Sequence, residues 1–298
     1  MNLAMHLNDL PAPPPGRTGW PWTDAPAATV PADAPHITII TPSYNQGDYI
    51  EETIRSVLLQ GYPNLEYLVM DGGSTDQTVE ILRRYDRWIQ WISEKDAGQA
   101  DAINKGISRA TGEILAYLNS DDLYLPGALA TVAEAFCAHP AAGLLYGDCQ
   151  AIRADGAVRG LIRGHPFSVR RMIERGEFVP QQAAFWRRSA MQRAGLFDPA
   201  LHYCMDHDFF IRLGKVAPGL YLPQPLAAFR FHDSSKSVSN EEKHWQESMR
   251  VSRRHGLHPI NPWYWLRIAR HRALRLLPRR LQGFIRRAVL RRAHDPLT

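Results

Sequence analysis

Acidic residues that follow apolar runs are the first candidates for chemistry in this 298-residue chain. Asn119-Ser120-Asp121-Asp122 sets two adjacent carboxylates behind the run Ile114 to Leu118. Such charges repel unless a cation neutralises them. Hard oxygen donors suit Mg²⁺ or Mn²⁺, especially when a diphosphate supplies further oxygens. A turn and helix start capped by Asp explains the same segment about as well. Asp71-Gly72-Gly73-Ser74 offers a carboxylate to a base edge and glycines that let a ligand approach the backbone. As plain structure it is a tight turn with Ser74 as helix cap. It is neither a GxGxxG nor a Walker loop, so dinucleotide and ATP readings lose support. Lys95, Asp96 and Asp101 flank Gly98, and a lysine there suits phosphate. Asp206-His207-Asp208 places acids at a helix start, where they cap the helix or present one carboxylate as a general base. His207 reads as a spectator. Arg230, His232 and Lys236 suit phosphate or metal, although lone residues of these types are usually structural or solvated.

The elements that must position these groups alternate between strand and helix. Ile37 to Ile40, Leu65 to Met70, Trp88 to Ile92 and Ile114 to Leu118 read as strands. Tyr49 to Gln60, Ser74 to Tyr85 and Ala100 to Ala110 read as helices between them. Another helix opens at Pro126, and Leu144-Leu145-Tyr146 starts another strand. This pattern predicts an α/β fold with a mixed, mostly parallel sheet flanked by helices. Right-handed crossovers gather the strand C-termini on one edge, where ligands of such sheets bind. Ser43 to Asn45, Asp71 to Ser74, Glu94 to Asp96 and Asn119 to Asp122 all follow strands. Beyond Gly147 the alternation weakens. Gln181 to Trp186 reads as a strand, Met205 to Val216 as a helix and Leu226 to Phe231 as a strand.

A composition of 45% hydrophobic residues fits a folded globular chain. Cys137, Cys149 and Cys204 form no CxxC pair, so a reducing compartment is the default. Met1 to Leu10 has no secretory pattern, and no apolar run approaches the roughly 20 residues of a spanning helix. The net charge of +5 is unevenly spread. Residues 263–293 carry ten Arg and no acid, and residues 1–262 carry 25 Lys and Arg against 29 Asp and Glu. That asymmetry argues against nucleic acid and for an appended basic element.

Five motifs in order give the chain a family likeness. Thr41-Pro42-Ser43-Tyr44-Asn45, Ser56-Val57-Leu58-Leu59-Gln60, Asp71-Gly72-Gly73-Ser74-Thr75-Asp76, Ala102-Ile103-Asn104-Lys105-Gly106 and Asn119-Ser120-Asp121-Asp122 resemble the family 2 glycosyltransferases. The likeness covers residues 36 to 240. It implies a GT-A type, Rossmann-like fold, Mn²⁺ or Mg²⁺, and inverting transfer from a nucleotide-diphosphate sugar. By the resemblance, Pro42, Tyr44 and Asn45 line the nucleoside pocket with Glu51 or Glu52 nearby, and Asp71 contacts the base. Lys95 and Asp101 lie near the nucleotide, and Asn119 belongs to the donor-binding set. Asp121 faces ribose or sugar, Asp122 and His232 hold metal, and Asp206 is the base. Met205 stands where the family often has Glu, and the Gln-x-x-Arg-Trp signature of processive synthases is missing.

These readings divide the chain into a Pro-rich arm (1–35), flexible or draped over the surface with Trp20 and Trp22 to pin it, a glycosyltransferase domain (36–240) and a basic helical tail (241–298). Within the domain, 36–147 is the nucleotide-binding half and 148–240 the acceptor half. Pro278 splits the tail's basic stretch into two helical pieces. In the second, Leu281, Phe284, Ile285, Ala288 and Val289 share a face. The tail reads as an interfacial helix on an anionic membrane surface, or as a helix packed on protein. The expected acceptor is a saccharide or lipid-linked hydroxyl, in cell-surface polysaccharide or glycolipid assembly. The expected place is the cytoplasm or the inner face of the membrane. The alternatives are a sugar-nucleotide nucleotidyltransferase, which would want a Gly-rich, Arg-containing loop after the first strand, and a non-catalytic carbohydrate-binding protein at the membrane.

Overall fold

The computed structural model describes residues 7–24, 30, 34–232 and 241–276. Lys236 and the second tail piece, from 277 onward, lie outside the described residues. Four strands make the parallel half of the sheet. They are β1 (Ile37–Ser43), β2 (Leu65–Asp71), β3 (Gln90–Ser93) and β4 (Ile114–Tyr117), ordered β3-β2-β1-β4. The helices α1 (Ile50–Leu58), α2 (Thr78–Arg84) and α3 (Gln99–Arg109) connect them. Consecutive strand residues face opposite sides, and both sides are apolar. Ile39 and Val69 pack with Ile54, Leu82 and Leu129, whereas Ile40 and Met70 pack with Ile103, Phe209 and Leu213. The two core layers follow directly from that alternation.

The sheet then turns mixed. After β5 (Leu123–Tyr124) and α4 (Ala128–Ala138) come β6 (Leu144–Arg153) and β7 (Val158–Ile162). Helix α5 (Val169–Arg175) leads to β8 (Ala184–Arg187), α6 (Arg188–Ala194) and α7 (Met205–Val216). The 13-residue β9 (Gly219–Phe231) runs parallel to β6 and pairs antiparallel with β5. That last pairing brings Arg230 and His232 beside Asp121 and Asp122. Two helices close the described chain, α8 (Glu241–Arg254) and α9 (Pro262–Leu276).

Two local expectations change, and the leading segment takes one of its two expected forms. Ser74 caps no helix, because α2 begins at Thr78 and the Ser74 hydroxyl donates to Asp71 instead. Gln181–Ala183 forms a 3-10 turn rather than the start of a strand, after Pro180. Residues 7–24 lie on the body. The Arg55 guanidinium, fully buried on α1, donates to the carbonyls of Pro11, Pro21 and Trp22 at 2.8, 3.0 and 3.1 Å.

The start of the basic tail also joins the body. Arg267 of α9 donates to Ser252 and Ser248 of α8 at 2.7 and 2.9 Å and to the carbonyl of Ile173 at 3.2 Å. Trp245 and His271 stack at 3.9 Å. Trp265 and Leu266 face outward. No helix among the described residues is long and apolar enough to cross a membrane.

Candidate active site

The C-terminal ends of β1, β2 and β3 stand in register, Ser43 beside Asp71 beside Ser93. A cleft of about 1080 Å³ opens over this edge. Pro42, Tyr44, Gly72, Gly73, Lys95 and Asp96 line one part of it. Asn119, Asp121, Gln181, Gln182, Tyr203 and Asp206 line another. Its apolar wall includes Phe178, Phe229 and Phe231.

Five residues expected at the ligand make well-defined contacts within the protein. Asp71 is buried and shapes the loop: it accepts from the Gly73 and Ser74 amides at 3.2 and 2.9 Å and from the Ser93 hydroxyl at 2.6 Å. The resulting turn holds Gly73 at φ +82°, a value glycine tolerates. At Gly72 a Cβ would meet Asp96 Oδ2 at 2.7 Å, so a side chain there would displace the Asp96 carboxylate. Asn45, at φ 51°, accepts from the Thr75 amide at 2.9 Å and clamps the β1 loop to the β2 loop. Asp101 accepts from the Ala97 amide at 3.0 Å and pairs with Lys105 at 3.4 Å, which makes it a cap for α3. Glu51 points toward α2, bonded to Arg84 at 2.8 Å and Tyr85 at 2.9 Å. Its neighbour Glu52, one residue around the helix, instead pairs with Arg230 at 3.1 Å. None of Asp71, Asn45, Asp101 and Glu51 lines the cleft.

The fifth is Asp122. It is fully buried behind the cleft, and its carboxylate oxygens accept from the Arg230 amide at 3.0 Å and from Asn119 Nδ2 at 3.1 Å. Burial, and then the Asp121 charge, push its carboxyl well above the ordinary range. Asp121 is the carboxylate that faces the cleft, and its Oδ2 lies 2.8 Å from His232 Nε2. Tyr49 packs on the His232 ring at 4.8 Å. Arg230 fixes the turn by donating to the Asp121 carbonyl at 2.9 Å. Among the described residues no three His, Cys, Asp or Glu side chains converge on one point. A carboxylate oxygen and an imidazole suit Mn²⁺ or Mg²⁺ when a diphosphate completes the shell.

At the acidic helix start the three residues diverge. Asp206 lines the cleft, and burial, opposed by the His207 amide, raises its carboxyl. His207 is buried and faces Met172, with burial lowering its imidazole to about 4. Asp208 turns the other way, toward Arg212 at 2.7 Å and His255, which follows α8, at 2.9 Å. Under α7, Trp186 meets Phe209 at 5.1 Å and Tyr117 at 6.3 Å, edge to face. Aromatic pairs of this kind add about 0.5–1.5 kcal/mol each beyond their buried area. They hold the helix that carries Asp206 against the sheet.

Comparison with known proteins fits this geometry. The family described as Glycosyl transferase family 2 matches residues 38–194. An uncharacterized glycosyltransferase of Mycobacterium tuberculosis is 34% identical over 200 residues, 66% of this chain and 75% of that protein. The chain belongs to glycosyl transferase family 2. This family 2 glycosyltransferase shares its fold with TarS of S. aureus, solved with UDP-GlcNAc. The TM-score is 0.60 at 20% identity, over 72% of this chain and 65% of that one. A second neighbour is the mannosyltransferase PcManGT of Pyrobaculum calidifontis, solved with GDP-Man and Mn²⁺. Its TM-score is 0.58 at 19% identity, over 90% of this chain and 83% of that one. The fold is GT-A: a mixed, mostly parallel sheet flanked by helices.

The matched stretch of this glycosyltransferase ends before α7, so Asp206 lies beyond it. Gln181 and Gln182 carry no motif and were not expected in the cleft. Yet Gln181 Nε2 donates to the Tyr117 carbonyl at 2.7 Å, and its Oε1 accepts from Asn119 at 3.3 Å. His244 and Glu247 of α8 were not expected near the site either, since their sequence signal is an amphipathic helix alone.

Proposed function

We propose that this glycosyltransferase moves a sugar from a nucleoside diphosphate to an acceptor hydroxyl with inversion, using Asp206 as general base. One observation carries the reading: a single cleft holds Lys95, Asp121 and Asp206 at the C-terminal edge of the strands. The nucleoside lies against Pro42, Tyr44, Gly72 and Gly73, with Lys95 near the diphosphate. Asn119 and Asp121 meet the ribose or sugar. Asp121 and His232 are the residues that would hold a divalent cation, with Asp122 behind them fixing the turn. Bound there, Mn²⁺ or Mg²⁺ would neutralise charge on the departing diphosphate. Asp206 takes the proton of the acceptor hydroxyl, and its oxygen attacks the anomeric carbon from the face opposite the leaving group. A carboxyl raised by burial is a stronger base once ionised, which suits this task.

The halves divide accordingly, residues 36–147 for the donor and 148–240 for the acceptor. The acceptor is a saccharide or a lipid-linked hydroxyl, in cell-surface polysaccharide or glycolipid assembly on the cytoplasmic side. The basic stretch from α9 onward meets an anionic membrane surface, and the outward Trp265 and Leu266 support that reading.

The test is hydrolysis of a panel of UDP- and GDP-linked sugars, with and without Mn²⁺, by the wild type and Asp206→Asn. The expected result is Mn²⁺-dependent turnover that Asp206→Asn abolishes while calorimetric binding of UDP or GDP survives. Turnover retained by Asp206→Asn would overturn the assignment of the base. Equal turnover without metal would overturn the cation site.

A further inference from the structure

Helix α7 carries Asp206 on its first turn, yet its approach has no local cap. The residue before the helix is Cys204, whose side chain makes no capping hydrogen bond. The first amides of a helix need acceptors, and a carboxylate there also meets the positive end of the helix dipole. A distant residue holds the turn just before the helix, on the side of its positive end. Glu247 of α8 is only 5% exposed. Its Oε2 accepts from the His202 amide at 3.1 Å, and its Oε1 accepts from the Tyr203 and Cys204 amides at 2.6 and 2.7 Å. Three consecutive backbone donors therefore converge on one buried carboxylate, and Asp206 follows two residues later.

We propose that Glu247 is the positioning residue for Asp206, a clamp that sets where the first turn of α7 stands in the cleft. The clamp is itself anchored. Arg254 at the end of α8 bonds Asp198 at 2.7 Å, and His255 just after it bonds Asp208 at 2.9 Å. Arg267 of α9 ties Ser248 and Ser252 from the other side. The C-terminal helices thus reach the active site through Glu247 and through His244, which lines the cleft.

The clamp also has an electrical consequence. The groups that face Asp206 are Glu247 and His244 from α8, Tyr117 from β4, and Cys204 from its own approach loop. Burial raises the Asp206 carboxyl most, and the Glu247 charge raises it further, against the His207 amide and His244. Removing that negative charge lets Asp206 ionise at lower pH. A fault of folding alone would lower turnover at every pH and leave that titration in place.

The inference rests on Asp206 being the base, and the experiment separates the two. Glu247→Gln and Glu247→Asp are compared in the full chain. The Asp206 carboxyl is followed by ¹³C titration, with its signal identified by loss in Asp206→Asn. Hydrolysis of the UDP- and GDP-linked panel with Mn²⁺ gives kcat and KM, and UDP or GDP calorimetry reports the donor site. Glu247→Gln should lower kcat about tenfold or more, leave nucleotide binding within about twofold, and move the Asp206 titration to lower pH. Glu247→Asp keeps the charge but is one methylene shorter. It should keep the wild-type titration, lower kcat about threefold or more and speed amide exchange at residues 202–204. An unmoved titration and full turnover in Glu247→Gln would overturn the proposal, with Asp206→Asn still inactive. If Glu247→Gln does not fold, wild-type turnover and exchange in Glu247→Asp would overturn it.

Discussion

Replacing Asp208 by Asn tests the seam that joins α7 to α8. The Asp208 side chain is 1% exposed. One oxygen accepts from Arg212 at 2.7 Å, and the other faces His255 at 2.9 Å and Arg254 at 3.6 Å. Burial alone would raise its carboxyl. The hydrogen bonds from His255 and Arg212 win and hold it at about 2, down from 3.8. At about 1.4 kcal/mol per pKa unit, that depression stands for about 2 kcal/mol of stability at neutral pH. The folded carboxyl is the more acidic one. The stabilisation is therefore complete above the unfolded value, about 4, and is lost as pH falls through the folded value; about half remains at pH 3. Urea unfolding of the wild type and Asp208→Asn, at pH 7 and pH 3, measures both quantities. We expect the variant to be less stable by about 2 kcal/mol at pH 7, with the gap shrinking to about 1 kcal/mol at pH 3. A gap below about 0.5 kcal/mol at pH 7, or one equal at the two pH values, would refute the ion-pair account.

Three further outcomes follow from the same geometry. Arg230→Met should cost roughly 3–5 kcal/mol in thermal unfolding, because it leaves the buried Glu52 carboxylate only the half-exposed Arg17, at 3.9 Å. Adding Glu52→Gln should restore part of that loss, and strict additivity of the two changes would show that the pair is not coupled. Gly72→Ala should weaken UDP or GDP binding several-fold by displacing Asp96, with unfolding nearly unchanged; unchanged calorimetric affinity would count against it. A chain ending at residue 276 should unfold like the full chain but lose co-sedimentation with anionic vesicles, whereas one ending at residue 254 should be less stable because Arg267 is gone. Equal vesicle binding by the full chain and the 276-residue chain would remove the membrane role of the residues that follow.

The sheet was legible because β1, β2 and β4 are short β-branched or apolar runs bounded by turn residues, with helices of matching length between them. The ligand edge was legible for the same reason, since parallel strands must end together. Individual side chains were not. Glu51 and Glu52 are adjacent in sequence, but about 100° of helical rotation sends one to Arg84 and the other to Arg230. Asp121 faces the cleft and Asp122 is buried behind it because β5 pairs with β9, which sets the Arg230 amide on Asp122 from 108 residues away. Asp71 spends its carboxylate on Ser93, a partner supplied by the next strand. Glu247 had no motif to announce it, because its meaning lies in three amides more than forty residues earlier.

The burial of Arg55 bears on how this chain can be divided or recombined. The stretch by which the family is recognised begins at residue 38, but three of the carbonyls that satisfy this guanidinium come from Pro11, Pro21 and Trp22. A fragment cut at residue 38 would hold a cation in a hole stripped of its acceptors, with a penalty of several kcal/mol. The same holds for chimaeras. A leading segment borrowed from a relative will seat only if it carries backbone of the right shape to the residue at position 55. Inheritance and mechanics thus draw different borders in this protein, and the mechanical one lies at least as far back as Pro11.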